Sequence, residues 1–285
     1  MSNNQHTIIK VLNEKLEEIE KEIWSDVISY TWPISPSIKR SFKEFIEDLA
    51  SDTKNKKISV ILTTSGWQAE TTDDMVNILR KNYEIVDFII PDFAMSAWTI
   101  LCMSGNDIYM DYSSALWPID PQIPDETNTR YVPASWYLDR VNELIEKENK
   151  WEKLTNSELN IVIKADVWKL KFIEQAKNLT VTLLKDWLVK YKFKNWDKHS
   201  NWEIVTDKEK IKRAQQIAKD LWDVSIWHSH WRTINIEKLE DILKLKIKNI
   251  EDNQKLYWLI KEYYDILWVV SPDKNKICLH SKKYI

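Results

Sequence analysis

The stretch that decides the fold runs from residue 58 to residue 90, ISVILTTSGWQAETTDDMVNILRKNYEIVDFII. Residues 58–63 are a continuous apolar strand, residues 71–82 carry Met75, Ile78 and Leu79 at helical spacing, and residues 85–90 are a second continuous apolar strand. Strands without polar alternation are covered on both faces, so strand, helix and strand in this order predict a βαβ unit of a parallel sheet. Upstream, residues 26–30 read as a short strand. Ser35-Pro36 then starts a helix with Phe42, Phe45, Ile46 and Leu49 facing inward. Downstream, residues 94–103 read as a short helix and 107–110 as a further strand. The fold class is α/β.

Farther out the elements are mostly helical. Residues 7–24 form an amphipathic helix with Ile8, Ile9, Leu12, Leu16 and Ile19 on one face. Residues 118–135, with Pro118, Pro121, Pro124 and Pro133, read as an extended, irregular segment. Thr155-Asn156-Ser157-Glu158 is a capping box that opens one long helix through Leu159, Ile163, Val167, Leu170, Ile173 and Ala176. Residues 208–221 are a helix, and a short strand near 224–227 leads into His228-Ser229-His230. Helices follow at 236–246 and 252–265. The expected organisation is an N-terminal helix at 1–24, a main domain at 25–250 and a C-terminal helical extension at 251–285.

The chain has 285 residues, 44% of them hydrophobic, enough for a substantial core. Its 41 basic and 44 acidic residues nearly cancel, with no isolated basic block, so no nucleic-acid partner is expected. Cys102 and Cys278 are far apart and suggest free thiols in a reducing cytoplasm. The polar N-terminus lacks the apolar core of a signal peptide, and no apolar run reaches the ~20 residues that span a bilayer. We therefore expect a soluble, cytoplasmic protein.

Composition holds one anomaly: sixteen tryptophans and two glycines. Average usage would give about twenty glycines, at roughly 7%. Trp67 follows Gly66 at a strand end, Trp98 lies two residues after a serine, Trp117 precedes a proline and Trp231 follows His230. Such places call for a tight turn, close backbone approach or positive φ, which glycine supplies. The expectation is that a UGA codon read as glycine at the source stands here as tryptophan. It covers Trp67, Trp98, Trp117 and Trp231, with Trp32 and Trp136 beside them; Trp187 and Trp227 are expected to be genuine. A lysine-to-arginine ratio of 35 to 6 fits an AT-rich genome.

Four segments could carry chemistry. The turn Thr64-Ser65-Gly66-Trp67 follows an apolar strand and opens a helix; its amides could bind an oxyanion or a phosphate, or form an ordinary βα turn. Ser96, flanked by small residues at the mouth of a short apolar helix, is either a rigidly held nucleophile or that helix's cap. Asp120, between two prolines, could orient an imidazole or form a turn. His228 and His230 share a face if they lie on a strand. That pair could ligate zinc, but no third ligand lies near, so no metal is expected and a general base is the better reading.

Together, Thr64-Ser65-Gly66-Trp67, Ala94-Met95-Ser96-Ala97-Trp98-Thr99, Met110-Asp111, Leu116-Trp117-Pro118-Ile119-Asp120-Pro121-Gln122 and His228-Ser229-His230-Trp231-Arg232 resemble the serine dehydrogenase proteinase family. That family is a distant relative of the Clp proteolytic subunit and signal peptide peptidase A. The likeness runs from about residue 25 to residue 250, and its two sharpest strings match when Trp98 and Trp117 are read as glycine. The resemblance implies a Clp/crotonase fold of stacked βαβ units and a Ser, Asp, His triad in that chain order, whereas the Clp subunit runs Ser, His, Asp. Ser96 matches the nucleophile and Asp120 the orienting acid, with His230 the first choice for base and His228 the second. The amides of Gly66, Trp67 and Ala97 would form the oxyanion hole. Lys164 or Lys169 would serve if a Ser–Lys dyad were used instead. The implied function is an intracellular serine endopeptidase acting as a homo-oligomer on peptide or protein substrates, without a cofactor. A non-catalytic oligomeric scaffold of the same fold is the alternative, and acyl-CoA chemistry a third reading without a recognisable CoA signature.

Overall fold

The structure, a computed structural model, describes residues 3–31, 34–63, 69–125, 127, 129–270 and 279–282. In chain order the elements are α1 (Asn3–Ile23), β1 (Asp26–Tyr30), α2 (Lys39–Ser51), β2 (Lys57–Leu62), α3 (Ala69–Asn82), β3 (Ile85–Ile90), β4 (Phe93–Ala94), α4 (Ala97–Cys102), β5 (Ile108–Met110), β6 (Ala115–Leu116), β7 (Gln122–Pro124) and β8 (Tyr131–Pro133). Then come α5 (Ala134–Asn149), α6 (Asn156–Lys164), α7 (Val167–Trp187), α8 (Asp207–Trp222), α9 (Val224–Trp227), α10 (Ile236–Asp241), β9 (Lys248–Asn249), α11 (Gln254–Val270) and β10 (Leu279–His280).

The main sheet has the order β10-β1-β2-β3-β5-β9. β1, β2, β3, β5 and β9 run parallel, and β10 lies antiparallel along β1. The central strands are buried almost throughout because both faces are covered. Side chains alternate between the two layers with the strand period of two. Val27, Ile61 and Ile89 point into a layer with Leu12, Leu16 and Ile19 of α1 and Leu259, Tyr263 and Leu267 of α11. Ile28, Val60 and Phe88 point into the larger layer, with Phe42 and Ile46 of α2, Met75 and Leu79 of α3, and helices α4, α7 and α8. The two terminal segments, expected as extensions, thus cover one face of the sheet together, and β10 adds its edge strand.

Gly105, after α4, shows what a required glycine looks like here. A Cβ at that position would sit 2.8 Å from Cδ2 of Phe88 and 3.1 Å from two backbone carbonyl oxygens.

The βαβ core lies where the sequence placed it, but three outer readings need correction. The helix opened by the Thr155 capping box ends at Lys164, and Asp166 starts a second one by accepting from the amides of Trp168 and Lys169. Ile163 and Val167, assigned to one buried stripe, are exposed on either side of that break. Within 118–135 the chain forms a small antiparallel hairpin, β7 with β8. Residues 224–227 are a helical turn, α9, and not a strand. Asp223 caps it by accepting from the Ser225 amide, which competes successfully with extended backbone.

Candidate active site

A second, two-stranded sheet assembles the candidate residues. β4 pairs in parallel with β6, aligning Ala94 with Leu116. Leu116 also exchanges both backbone hydrogen bonds with Ile234, at 3.0 and 2.8 Å. Three distant stretches therefore meet at one level. Ser96 lies two residues beyond Ala94, Asp120 four beyond Leu116 and, on the antiparallel partner, His230 four before Ile234.

Ser96 sits just before α4 with φ 50° and ψ −111°. Positive φ is uncommon for a residue with a Cβ, and such strain clusters at functional positions. The Ser96 hydroxyl makes no capping bond to α4, so the simple cap reading does not describe it. Its carbonyl accepts from the Ile100 amide at 3.2 Å, starting the helix that holds it. The next residue, Ala97, is buried, and its amide lies in the first turn, where a helix offers no carbonyl of its own.

Asp120 and His230 form a direct pair. Nδ1 of His230 lies 2.7 Å from Oδ1 of Asp120, with the aspartate 0% and the histidine 5% exposed. Burial pushes the Asp120 carboxyl above the ordinary aspartate range, and the bond to His230 pulls it back. Nε2 of Gln122 donates to Oδ2 of the same carboxylate at 3.4 Å. Nε2 of His230 makes no hydrogen bond among the described residues. A buried imidazole held on Nδ1 by a carboxylate and open at Nε2 can take up a proton there and hand it on.

His228 is placed differently. It caps α9 in the left-handed region, at φ 61°, and is exposed. Because residues 224–230 are not extended, the two histidines do not share a strand face, and only His230 reaches Asp120. Lys164 is exposed at the end of α6, while Nζ of Lys169 donates to the carbonyl of Pro124 at 2.9 Å. Gly66 and Trp67, the other oxyanion-hole candidates, lie outside the described residues, as does Trp32. Among the described residues no three His, Cys, Asp or Glu side chains converge as metal ligands, and no helix is long and apolar enough to cross a membrane.

Two tryptophans lie close in sequence to the candidate residues, Trp98 two after Ser96 and Trp117 three before Asp120. Trp98, wholly buried in the first turn of α4, stacks at a tilt on Tyr30 with ring centroids 4.8 Å apart. Its indole N–H, like that of Trp117 beside Phe93, is buried without an acceptor among the described residues. Trp227, in contrast, donates its indole N–H to the Asp220 carbonyl at 2.8 Å, and Trp187 packs into the core.

Sequence reasoning passed over Gln122, which entered only within a longer string, and Thr99. Nothing in the local pattern signals that either side chain turns toward Asp120 or its loop. It also passed over His280, which is fully buried on β10.

The chain is 25% identical over 225 residues to an uncharacterised protein of Methanocaldococcus jannaschii, covering 78% of this chain and 62% of that one. A second protein of that organism is 27% identical over 144 residues, covering 50% and 45%. The chain thus spans about half to three-fifths of these relatives' lengths. Among solved structures it is similar to a mutant of the 1510-N membrane-bound stomatin-specific protease, at TM-score 0.48 and 12% identity over 81% of each chain. It is also similar to ClpP1 from Listeria monocytogenes, at TM-score 0.45 and 12% identity, covering 83% of this chain and 98% of that one. The sequence model of the ClpP-like SDH-type serine proteinases matches residues 38–201, a span that holds Ser96 and Asp120 and ends before His230. With more than half of its length so matched, the chain belongs to the ClpP-like SDH-type serine proteinase family.

Proposed function

We propose that this protein is a serine endopeptidase in which Ser96 attacks the peptide carbonyl, His230 is the general base and Asp120 orients it. The observation that carries this reading is the buried 2.7 Å bond between His230 and Asp120, with Nε2 of the histidine free of hydrogen bonds among the described residues. Asp120 holds the tautomer that presents Nε2 as acceptor. Nε2 takes the proton from the Ser96 hydroxyl as Oγ bonds to the carbonyl carbon, and returns it to the amine as the C–N bond breaks. Water then hydrolyses the acyl-enzyme by the same proton route. The Ala97 amide, with those of residues 66 and 67, is assigned to the oxyanion, where one donor is worth about 2.7–4 kcal/mol of barrier.

A homo-oligomer working in the cytoplasm belongs to the same reading, as do the boundaries 1–24, 25–250 and 251–285. Trp98 bears on the active form: the resemblance has glycine two residues after the serine, where this chain buries an indole without a hydrogen-bond acceptor among the described residues, so the assays use the chain with glycine at 67, 98 and 117. Casein hydrolysis by that chain and by its Ser96→Ala variant tests the proposal. Loss of cleavage in the variant supports it; unchanged cleavage removes Ser96 as the nucleophile.

A further inference from the structure

We propose that Thr99 is a positioning residue that fixes the serine relative to the aspartate–histidine pair; the inference rests on the peptidase reading above. Thr99 is wholly buried in α4, one turn beyond Ser96. Its Oγ1 donates to the Ala94 carbonyl at 3.0 Å and accepts from the backbone N–H of residue 117 at 3.2 Å. The first bond ties the nucleophile's helix to the strand that leads into Ser96. The second ties that helix to the chain three residues before Asp120. One hydroxyl, using its donor and one acceptor lone pair, thus joins two arms of the site, beside the β4–β6 ladder that also links them. His230 enters on a third segment, so without this link the serine would be set against the imidazole through the ladder.

A misplacement of about 1 Å can reduce a rate about 10²-fold. Thr99→Val keeps the shape and removes both bonds, while Thr99→Ser keeps the hydroxyl. The valine variant should lower kcat and the rate of Ser96 labelling by a fluorophosphonate about 10- to 100-fold, with KM within about twofold. The serine variant should stay within about threefold of the parent. Rates are measured per folded molecule, well below each variant's melting temperature, so that lost stability is not read as lost positioning. A valine variant that labels like the parent, or a serine variant as slow as valine, overturns the role of Thr99. A parent that does not label at Ser96 overturns the peptidase reading itself.

A separate observation carries a second inference. Six non-glycine residues among those described have φ in the left-handed region, and three are tryptophans: Trp24 at 51°, Trp151 at 61° and Trp202 at 70°. All three are highly exposed, at 86%, 96% and 77%. Each fills a slot that backbone geometry reserves for glycine. After α5, the Trp151 amide bonds to the Glu148 carbonyl and the Glu152 amide to the Lys147 carbonyl, both at 2.9 Å. That is the Schellman pattern, with Trp151 at its left-handed position. After α1, the Ser25 amide reaches back to Glu20 at 3.3 Å across Trp24, the same six-to-one closure. Trp202 closes a turn onto His199 at 3.0 Å while the His199 amide bonds to Glu203, within a ladder that pairs Lys198 with Ile204. This is the left-handed position of a hairpin with a glycine bulge, and Asn201 precedes it.

We infer that the natural protein has glycine at 24, 151 and 202. The left-handed conformation costs a residue with a Cβ roughly 1–2 kcal/mol, and an exposed indole recovers none of it by burial. The signature also corrects the starting expectation. Trp98, Trp117, Trp136 and Trp231 do not have left-handed φ; Trp98 and Trp117 instead have buried indole N–H groups without an acceptor among the described residues, whereas Trp136 and Trp231 are exposed and show neither feature. The test is the codon at each position, peptide masses from the source organism, and the single variants Trp24→Gly, Trp151→Gly and Trp202→Gly. The expected results are UGA codons, glycine in the peptides and a melting temperature raised by about 2–4 °C per variant. UGG codons with tryptophan in the peptides overturn the inference.

Discussion

Two buried histidines, His230 and His280, differ in what their second ring nitrogen meets. Both are almost wholly inaccessible, and each has a partner on Nδ1: the Asp120 carboxylate at 2.7 Å for His230, the Tyr263 hydroxyl at 2.8 Å for His280. The difference lies at the other nitrogen. Nε2 of His280 bonds to Oδ1 of Asn13 at 2.7 Å, so the ring is saturated by neutral groups and stacks on Tyr263. Burial without a counter-charge pushes its pKa down to about 4. His230 has a carboxylate on one side and no hydrogen bond at Nε2 among the described residues. A saturated imidazole can only fasten; one backed by a charge and free of a bond at its second nitrogen can act as a base, the role proposed for His230.

This comparison can be broken in several ways, beginning with the largest effect. His230→Ala should cut kcat of the glycine-bearing chain on the order of 10⁴-fold or more, measured as casein hydrolysis per folded molecule because the change also leaves the buried Asp120 carboxylate without its partner. Asp120→Asn should cost roughly 10⁴-fold in the same assay by favouring the wrong tautomer. His280→Gln should do the reverse, keeping the turnover of the folded protein while lowering stability to denaturant.

The pH dependence of stability sharpens the contrast. His280 is neutral when folded and titrates near its ordinary value, about 6.5, when unfolded. As pH falls from about 6.5 toward 4 the unfolded chain binds a proton that the folded chain refuses, so stability declines through that window. Denaturant midpoints across it should show a shallower decline in His280→Gln than in the parent. The smallest effect is expected at His228: exposed and unpaired with Asp120, it should tolerate His228→Ala within about twofold in kcat. A loss at His228 comparable to that at His230 would show that the wrong histidine has been assigned.

The sequence showed the βαβ core because burial on both faces leaves an unbroken apolar signal in residues 58–63 and 85–90. It also named Ser96, Asp120 and His230, through strings long enough to stand out. What it did not show are features fixed by contacts between distant segments. Residues 224–227 are apolar enough for a strand, but the Asp223 cap turns them into helix α9, and that turn separates His228 from His230. The break at Ala165-Asp166 was hidden because apolar spacing continues across it. The burial of His280 is not legible locally, because its polar sequence neighbours say nothing of β1, α1 and α11, which supply its partners. Thr99 could not be read at all, since its partners are backbone groups of other segments.

The central claim is that Ser96 is a nucleophile activated by His230. Its most direct test is reaction of the chain bearing glycine at 67, 98 and 117 with a fluorophosphonate, followed by mapping of the adduct by mass spectrometry, in parent and His230→Ala forms. The account predicts one adduct, on Ser96, in the parent and none within the same time in the variant. No adduct in the parent, an adduct on another serine, or equal labelling without His230 would contradict it.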